Sequence, residues 1–460
     1  MADWSGAQAV DFQINDGDTI GATNNLTINA GVTCTVAAGA TVSIYASRVI
    51  SVVGTLNAIG TLANPITFKA QASDVGMTNG GYIATGADNC SITLNYCKFK
   101  NLSNAIAINR ADRSGITLNI NHIWTENCNS SITESAAFTA TGSYSITNVL
   151  SIGAFSTLAL DGDNVASSET YSNIYSILTS RPISINGANG QTLSKIVGVL
   201  GNPLIVTSGT STGFSLADSY FGYAYGYVGI YDSAVALTLT WLRNVIAEVM
   251  NGHGAQIDVA STVFNSSYSD YIGVGKNSAT DYAIKRTNGD ATSDYDYVAG
   301  CAGRTSDVVD TTADTQVNGV GANFTRTNEQ SAPNKPLTVD NVAESSLTSE
   351  GVTITFDSAA GATGYRCDGV GFVRYGTTSG VYTHETNHPT EYLDLGKAWT
   401  GWSSYSFKTT AHSVALVNLK SGTTYYYQAC FIDPLGRIGV SSEGSFTTSG
   451  ETVSLPGGFL

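Results

Sequence analysis

Between Asn89 and Ser266 the chain repeats one kind of unit: a strand-length burst of apolar and β-branched residues cut off by Gly, Asn or Ser. "SITLNYCKFKN" (91–101) is followed by "GITLNINHIWTEN" (115–127), "SITNVLSIGAF" (145–155) and "YSNIYSILTS" (171–180). "LSKIVGVLGN" (193–202), "FSLADSYFGY" (214–223), "LTWLRNVIAE" (239–248) and "IDVASTVFNS" (257–266) continue the series. Taking Phe99, Ile123, Ile152, Ile177, Val199, Tyr220, Val245 and Val263 as the inward position of each unit gives steps of 24, 29, 25, 22, 21, 25 and 18 residues. The mean is about 23, and the units are too short and too β-branched for helices. An imperfect period of that size built from strands predicts a solenoid. Each coil of about three short strands pairs with the coils about 4.8 Å above and below it. Alternation is expected to turn Ile, Val and Leu inward and Ser, Thr and Asn outward. No leucine-rich consensus and no Trp-Asp blade ending is present.

The same bursts open the chain across residues 26–70, and there they carry a resemblance. "GTLNAIGTLANPITF" at Gly54–Phe68 is similar to the opening coils of the pectin-lyase-like superfamily. That resemblance covers about residues 20–275. It implies an all-β fold, a right-handed parallel β-helix over residues 1–275 including an N-terminal cap. Lyases, hydrolases, adhesins and viral spikes all use this fold, so it does not set a function.

Residues 276–336 lose the pattern and read as an irregular last coil, a cap on the open end of the core, and a Pro-containing linker, "SAPNKPL" (331–337). Residues 337–448 alternate in a different way. "VTITF" (352–356), "FVRYGTTSGVY" (372–382), "HSVALVNL" (412–419), "TTYYYQACFID" (423–433) and "EGSFTT" (443–448) predict antiparallel strands of a β-sandwich. "LKSGTTYYYQACFIDPLGRIGVSSEGSFTT" resembles a fibronectin type III domain. The resemblance implies that Tyr425 is a corner tyrosine bonding back to the backbone and that Leu419 lies in the core. Phe356 stands where many members of that family have Trp. No Arg-Gly-Asp loop occurs, and residues 449–460 form a tail.

Charge narrows the partners. Only 12% of residues are charged, against roughly 25% in typical soluble domains. The net charge of −15 argues against a nucleic-acid partner, because phosphate binding needs clustered Lys and Arg. No apolar run of about 18 residues marks a membrane span. The start "MADWSGAQAVDFQIND" lacks the basic and apolar regions of a signal peptide, so classical secretion is not expected; a protein working outside a cell would leave by lysis, inside a particle, or by a signal-free route. Seven Cys residues are scattered without metal spacing and read as buried thiols; no metal and no cofactor are expected.

Carboxylates that could do glycosidic chemistry are scarce. The resemblance implies that a lyase on such a fold would use an acidic cluster holding calcium plus an Arg or Lys base, and a hydrolase two or three Asp on facing positions of neighbouring coils. Asp161 and Asp163 lie nine and eleven residues after Ile152, but the ninth position after Ile177 is Asn186, after Val199 Ser208, and after Tyr220 Gly229. Asp-Gly-Asp-Asn is good turn chemistry, so a corner is favoured over a cation site. Asp218 and Asp258 also have no acidic neighbours one coil away, and the lone His253 and the pair Asp294 and Asp296 are weaker candidates. Aromatic residues offer binding instead. In "YFGYAYGYVGIY" Tyr223, Tyr225 and Tyr227 share one face. An exposed ladder suits sugar stacking or subunit contact in a homotrimer; turned inward, the rings fill a wide core. The long segment 383–407 concentrates Trp399, Trp402 and Tyr405, which either bind sugar or protein or fold back over the sandwich.

A β-helix followed by a fibronectin-like module is similar to bacteriophage virion components. The resemblance implies a non-enzymatic fibre, spike or capsid decoration that contacts other virion proteins and cell-surface polysaccharide. The competing expectations are a polysaccharide lyase or glycoside hydrolase acting as a depolymerase, and a bacterial surface adhesin.

Overall fold

The computed structural model describes residues 2–71, 80–109, 115–135, 142–161, 168–179, 181–186 and 192–199. Beyond these it describes 201, 205–208, 211–217, 219–222, 231–232, 237–242, 244–249, 253–257, 263–267, 269–274, 283–286, 290–294, 296–299, 324–327, 337–360, 370–386, 411–432 and 438–450. Two compact units result, Met1–Pro333 and Asn334–Leu460. Every regular element among the described residues is a β-strand, and no helix is long and apolar enough to cross a membrane.

The first unit is a parallel β-solenoid. One sheet of 12 strands runs from Gly6–Gln8 to Ile284–Arg286, and a second, of 21 strands, winds over the rest of the coil, with parallel pairing throughout. Strand Ser91–Lys100 shows why this sequence coils. Ile92, Leu94, Cys97 and Phe99 are fully buried while their neighbours are partly exposed. Inward residues alternate by two except between Leu94 and Cys97, where Tyr96 adopts φ +51°. One left-handed residue adds an extra position, bends the strand and restores the alternation on a new face. His122 (φ +50°) and Asn148 (φ +57°) repeat the bend on the following strands, 26 residues apart each time. A second left-handed column closes the same strands at Asn101, Asn127, Gly153 and Leu178.

These bends correct the register expected from the sequence. Phe99 pairs with Thr125, not with Ile123. The true rungs are Cys97, Ile123, Val149, Ile174 and Ile196, with steps of 26, 26, 25 and 22 residues. Ile152 and Ile177 do pair with each other, but they lie on the side of the strand opposite the fully buried Ser151 and Ser176. Ser and Thr therefore enter the interior, contrary to the expected pattern. They do so because their hydroxyls satisfy one another: Thr125 with Ser131 (2.6 Å), Ser131 with Ser151 (2.9 Å), Thr157 with Ser176 (2.6 Å).

Around these hydroxyls the core is apolar from Ile14 to Ile284, with Phe68 stacked on Phe99 at 5.2 Å. Cys34, Cys90, Cys97 and Cys128 are buried, and burial pushes the thiols of Cys34, Cys97 and Cys128 up to about 12. Parallel pairing also continues past residue 275. Asp290–Asp294 pairs with Val263–Ser267, and Phe324–Thr327 pairs with Asp290–Asp294.

The second unit contains two antiparallel sheets. Leu337–Ser345, Val352–Ala360 and Ala411–Leu416 form one. His384–Glu385, Val370–Gly376, Thr424–Ile432, Ile438–Val440 and Gly444–Thr447 form the other. Tyr427 Oη donates to Glu344 Oε1 across the sheets (3.0 Å), and the His412 ring lies 4.8 Å from Phe356 and 5.5 Å from Phe431. Phe356 is buried, as is Leu419. Tyr425 does bond back to the backbone, its Oη accepting the Lys420 N–H at 2.9 Å.

Candidate functional site

Asp161 closes strand Ser156–Asp161 and pairs with Asn186, which pairs with Ser208, so the two following coils carry amide and hydroxyl at that position. Asp163, Tyr223, Tyr225, Tyr227, Trp399, Trp402 and Tyr405 lie outside the described residues, as do Asp218 and Asp258. His253 is buried. Asp294 ends a strand and pairs with Ser267 and Thr327. Asp296 is buried and accepts the Ser269 N–H at 2.8 Å, a structural use of the carboxylate. Among the described residues no group of three His, Cys, Asp or Glu is placed to hold a metal ion.

Asp296 belongs to a corner ladder that sequence reading missed. Ser219 Oγ accepts the Ile196 N–H (3.1 Å), and Asn244 Oδ1 accepts the Ser219 N–H (2.9 Å). Ser269 Oγ then accepts the Asn244 N–H (3.1 Å). Asn244 Nδ2 also donates to the Leu216 carbonyl at 2.9 Å. Each buried amide is satisfied by the side chain one coil further on, which is why small polar residues recur at that corner.

A second missed group faces outward on the strands Ile66–Ala70, Ser91–Lys100 and Ile116–Glu126. Cys97 and Phe99 point into the core, so Lys98 and Lys100 point away from it. By register Lys98 stands beside Thr67 and Trp124, and Lys100 beside Lys69 and Glu126. Lys98 Nζ sits 5.2 Å from the centroid of the Trp124 ring, and Lys100 Nζ 5.9 Å from it. Lys100 also pairs with Glu126 Oε2 at 2.8 Å, both side chains well exposed. At the adjoining bend Tyr96 and His122 stack at 4.5 Å with 6° between their planes. His122 Nδ1 lies 3.3 Å from Asn95 Oδ1, and Asn148 Nδ2 donates to Asn121 Oδ1 at 2.7 Å.

The electrostatics of this face are unusual for the chain. Partial burial holds Lys98 below the usual lysine range, and repulsion from Lys100 adds to it, with Glu126 acting the other way. Burial likewise lowers His122. One row runs Thr41, Thr67, Lys98 and Trp124 and then passes to the buried Leu150 and Tyr175; the neighbouring row runs Ser43, Lys69, Lys100, Glu126, Ile152, Ile177. Between Thr41 and Tyr175, and between Ser43 and Ile177, Glu126 is the one carboxylate; further along, the rows reach Asp270 and Asp3. The sequence signal was present: Lys-x-Lys at 98–100 lies 26 residues before Trp-x-Glu at 124–126, the true coil length. Chemically the arrangement offers ammonium groups fixed over a ring beside stacked aromatic faces.

No protein-family model matches the chain, and no curated protein matches it. Among solved structures seven chains match. One, described as a myokine structure, is 16% identical with a TM-score of 0.18 and covers 25% of this chain and 98% of its own. Another, the sensor domain of the anti-sigma factor RsgI4 in Pseudobacteroides cellulosolvens, is 14% identical with a TM-score of 0.16, covering 25% of this chain and 97% of its own. At those TM-scores neither likeness carries an argument about this protein.

Proposed function

We propose that this chain is a non-enzymatic structural and surface-binding component of a bacteriophage virion: a fibre, spike or capsid decoration. The observation that carries the reading is the continuity of the stack. Core, hydroxyl contacts and corner ladder all pass from coil to coil, and the buried polar groups Ser131, Ser219, Asn244 and Asp296 are engaged in holding coils together. Such a stack is stiff, because each coil is fixed by backbone ladders on both sides. Stiffness suits a part that presents a surface at the outside of a particle, where many weak contacts repeated over copies give avidity. Within this reading the solenoid is a right-handed β-helix of the pectin-lyase-like kind, and a homotrimer is its working form. The second unit is a fibronectin type III-like module, supported by the Tyr425–Lys420 bond and the burial of Leu419.

Immunogold labelling of particles from a lysate of the source culture, with antibody to residues 337–448, tests the proposal. Gold at fixed sites on every particle is the expected result and separates head from tail. Label confined to cell envelopes or to the soluble fraction would overturn it, and cleavage of polysaccharide by the purified chain would favour a depolymerase instead.

A further inference from the structure

We infer that the outward face carrying Lys69, Lys98, Lys100 and Trp124 is a binding site for an anionic, carboxylate-bearing polysaccharide laid across successive coils. The inference deepens the proposed surface-binding role and rests on that reading only for where the glycan is met. Over the three neighbouring strands from Lys69 to Glu126, three ammonium groups share two adjacent rows with one carboxylate, in a chain that holds 36 acidic residues against 21 Lys and Arg. That reversal of sign is local, and charges further off than about 10 Å are screened at ordinary salt. An anion docked here therefore meets a positive face in spite of the net charge of −15.

The lysines are also held in place. Trp124 lies under both Lys98 and Lys100, and cation–π attraction keeps two like charges close enough to act on one ligand. Partial burial of Lys98, with repulsion from the neighbouring Lys100, disfavours the charged form of Lys98 in the free protein. A bound carboxylate relieves that strain, which makes the anion complementary to the face. Rungs about 4.8 Å apart repeat the charge along the coil axis, from Lys69 to Lys100, as the charges of a uronate polymer repeat along its chain. At the bend the stacked Tyr96 and His122 rings give a flat apolar edge against which a sugar ring can lie.

Native gel electrophoresis of the full chain tests this, with alginate, dextran sulfate, neutral dextran or duplex DNA cast into the gel and a polymer-free gel as mobility reference. Retardation by alginate, weakening as salt rises and absent with dextran, is the expected result. Lys98→Gln with Lys100→Gln should weaken it at least tenfold, while Lys420→Gln in the second unit should leave it unchanged. Lys69 is exposed, so Lys69→Gln tests the site without threatening the fold and should weaken retardation about threefold. No retardation of the wild type by alginate, equal retardation of the variants, retardation by dextran sulfate alone, or equal retardation by DNA would each overturn the inference. Gel retardation with no gold on particles would sink the virion reading and leave the site standing; gold on particles without retardation would do the reverse.

Discussion

Protonating His412 should loosen the second unit at a pH where carboxylates are still ionised. The ring lies between Phe356 and Phe431, and Gly371 makes room for it, since a Cβ at 371 would stand 2.5 Å from Nδ1. Burial pushes the imidazole down to about 4, with the Asp357 charge acting the other way. The folded pKa is thus below the unfolded value of about 6.5, and the unfolded chain takes up the proton first. Stability from this group is complete above pH 6.5, falls as pH drops from 6.5 towards 4, and has no further to fall below that. At about 1.4 kcal/mol per pH unit the span caps the loss at about 3 kcal/mol. The ring keeps some contact with solvent, which brings the expected loss to about 1–2 kcal/mol. Urea unfolding of the full chain at intervals from pH 7 to 4.5, followed by hydrogen exchange in peptides covering 411–432, would measure it. His412→Leu should be less pH-dependent than the wild type by that amount, with peptides covering 91–126 unaffected. Parallel pH curves for the two proteins, or an NMR titration placing His412 at 6.5 or above, would refute the reasoning.

Asn244→Ala leaves the Ser219 N–H and the Leu216 carbonyl buried without their partner, at about 1–3 kcal/mol each, so a clear fall in denaturant midpoint is expected; an unchanged midpoint would count against the ladder. Leu178 holds φ +54° while 56% exposed, at the column where Asn101, Asn127 and Gly153 stand. Leu178→Asn should stabilise the solenoid by about 0.5–1 kcal/mol by easing a conformation that costs a bulky residue about 1–2 kcal/mol, read by thermal melting. The thiols of Cys34, Cys97 and Cys128, raised to about 12 by burial, should resist a thiol reagent at pH 8 in the native protein and react in denaturant, as mass mapping of the labelled peptides would show.

How far the fold could be read from sequence depended on how far apart the deciding residues were. The strands of the second unit were legible from local alternation; the bond at Tyr425 followed from the fibronectin resemblance, and its partner, Lys420, is five residues away in the loop leading into the strand Thr424–Ile432. Solenoid strands were legible as strands for the same local reason. Their register was not, because it turns on Tyr96 and His122 adopting positive φ, and neither side chain announces that conformation as Gly or Asn does. Missing the bend set Phe99 against Ile123 and so misjudged which side of the later strands faces in. Ser151 and Ser176 compounded the error, since an inward serine makes sense only once its hydroxyl partner on another strand is known. Carboxylates in the sequence point to Asp161, whose neighbour on the next coil is Asn186. Lys98 and Lys100 acquire meaning only when Trp124 and Glu126 are laid beside them.

The corner ladder has a direction. Ile196, Ser219, Asn244 and Ser269 each have their amide satisfied by a side chain that comes later in the chain, never earlier. If coils fold as they are synthesised, each coil of this corner would have its amide satisfied only when its successor arrives, so growth across residues 196–296 would leave one unsatisfied amide at the advancing end.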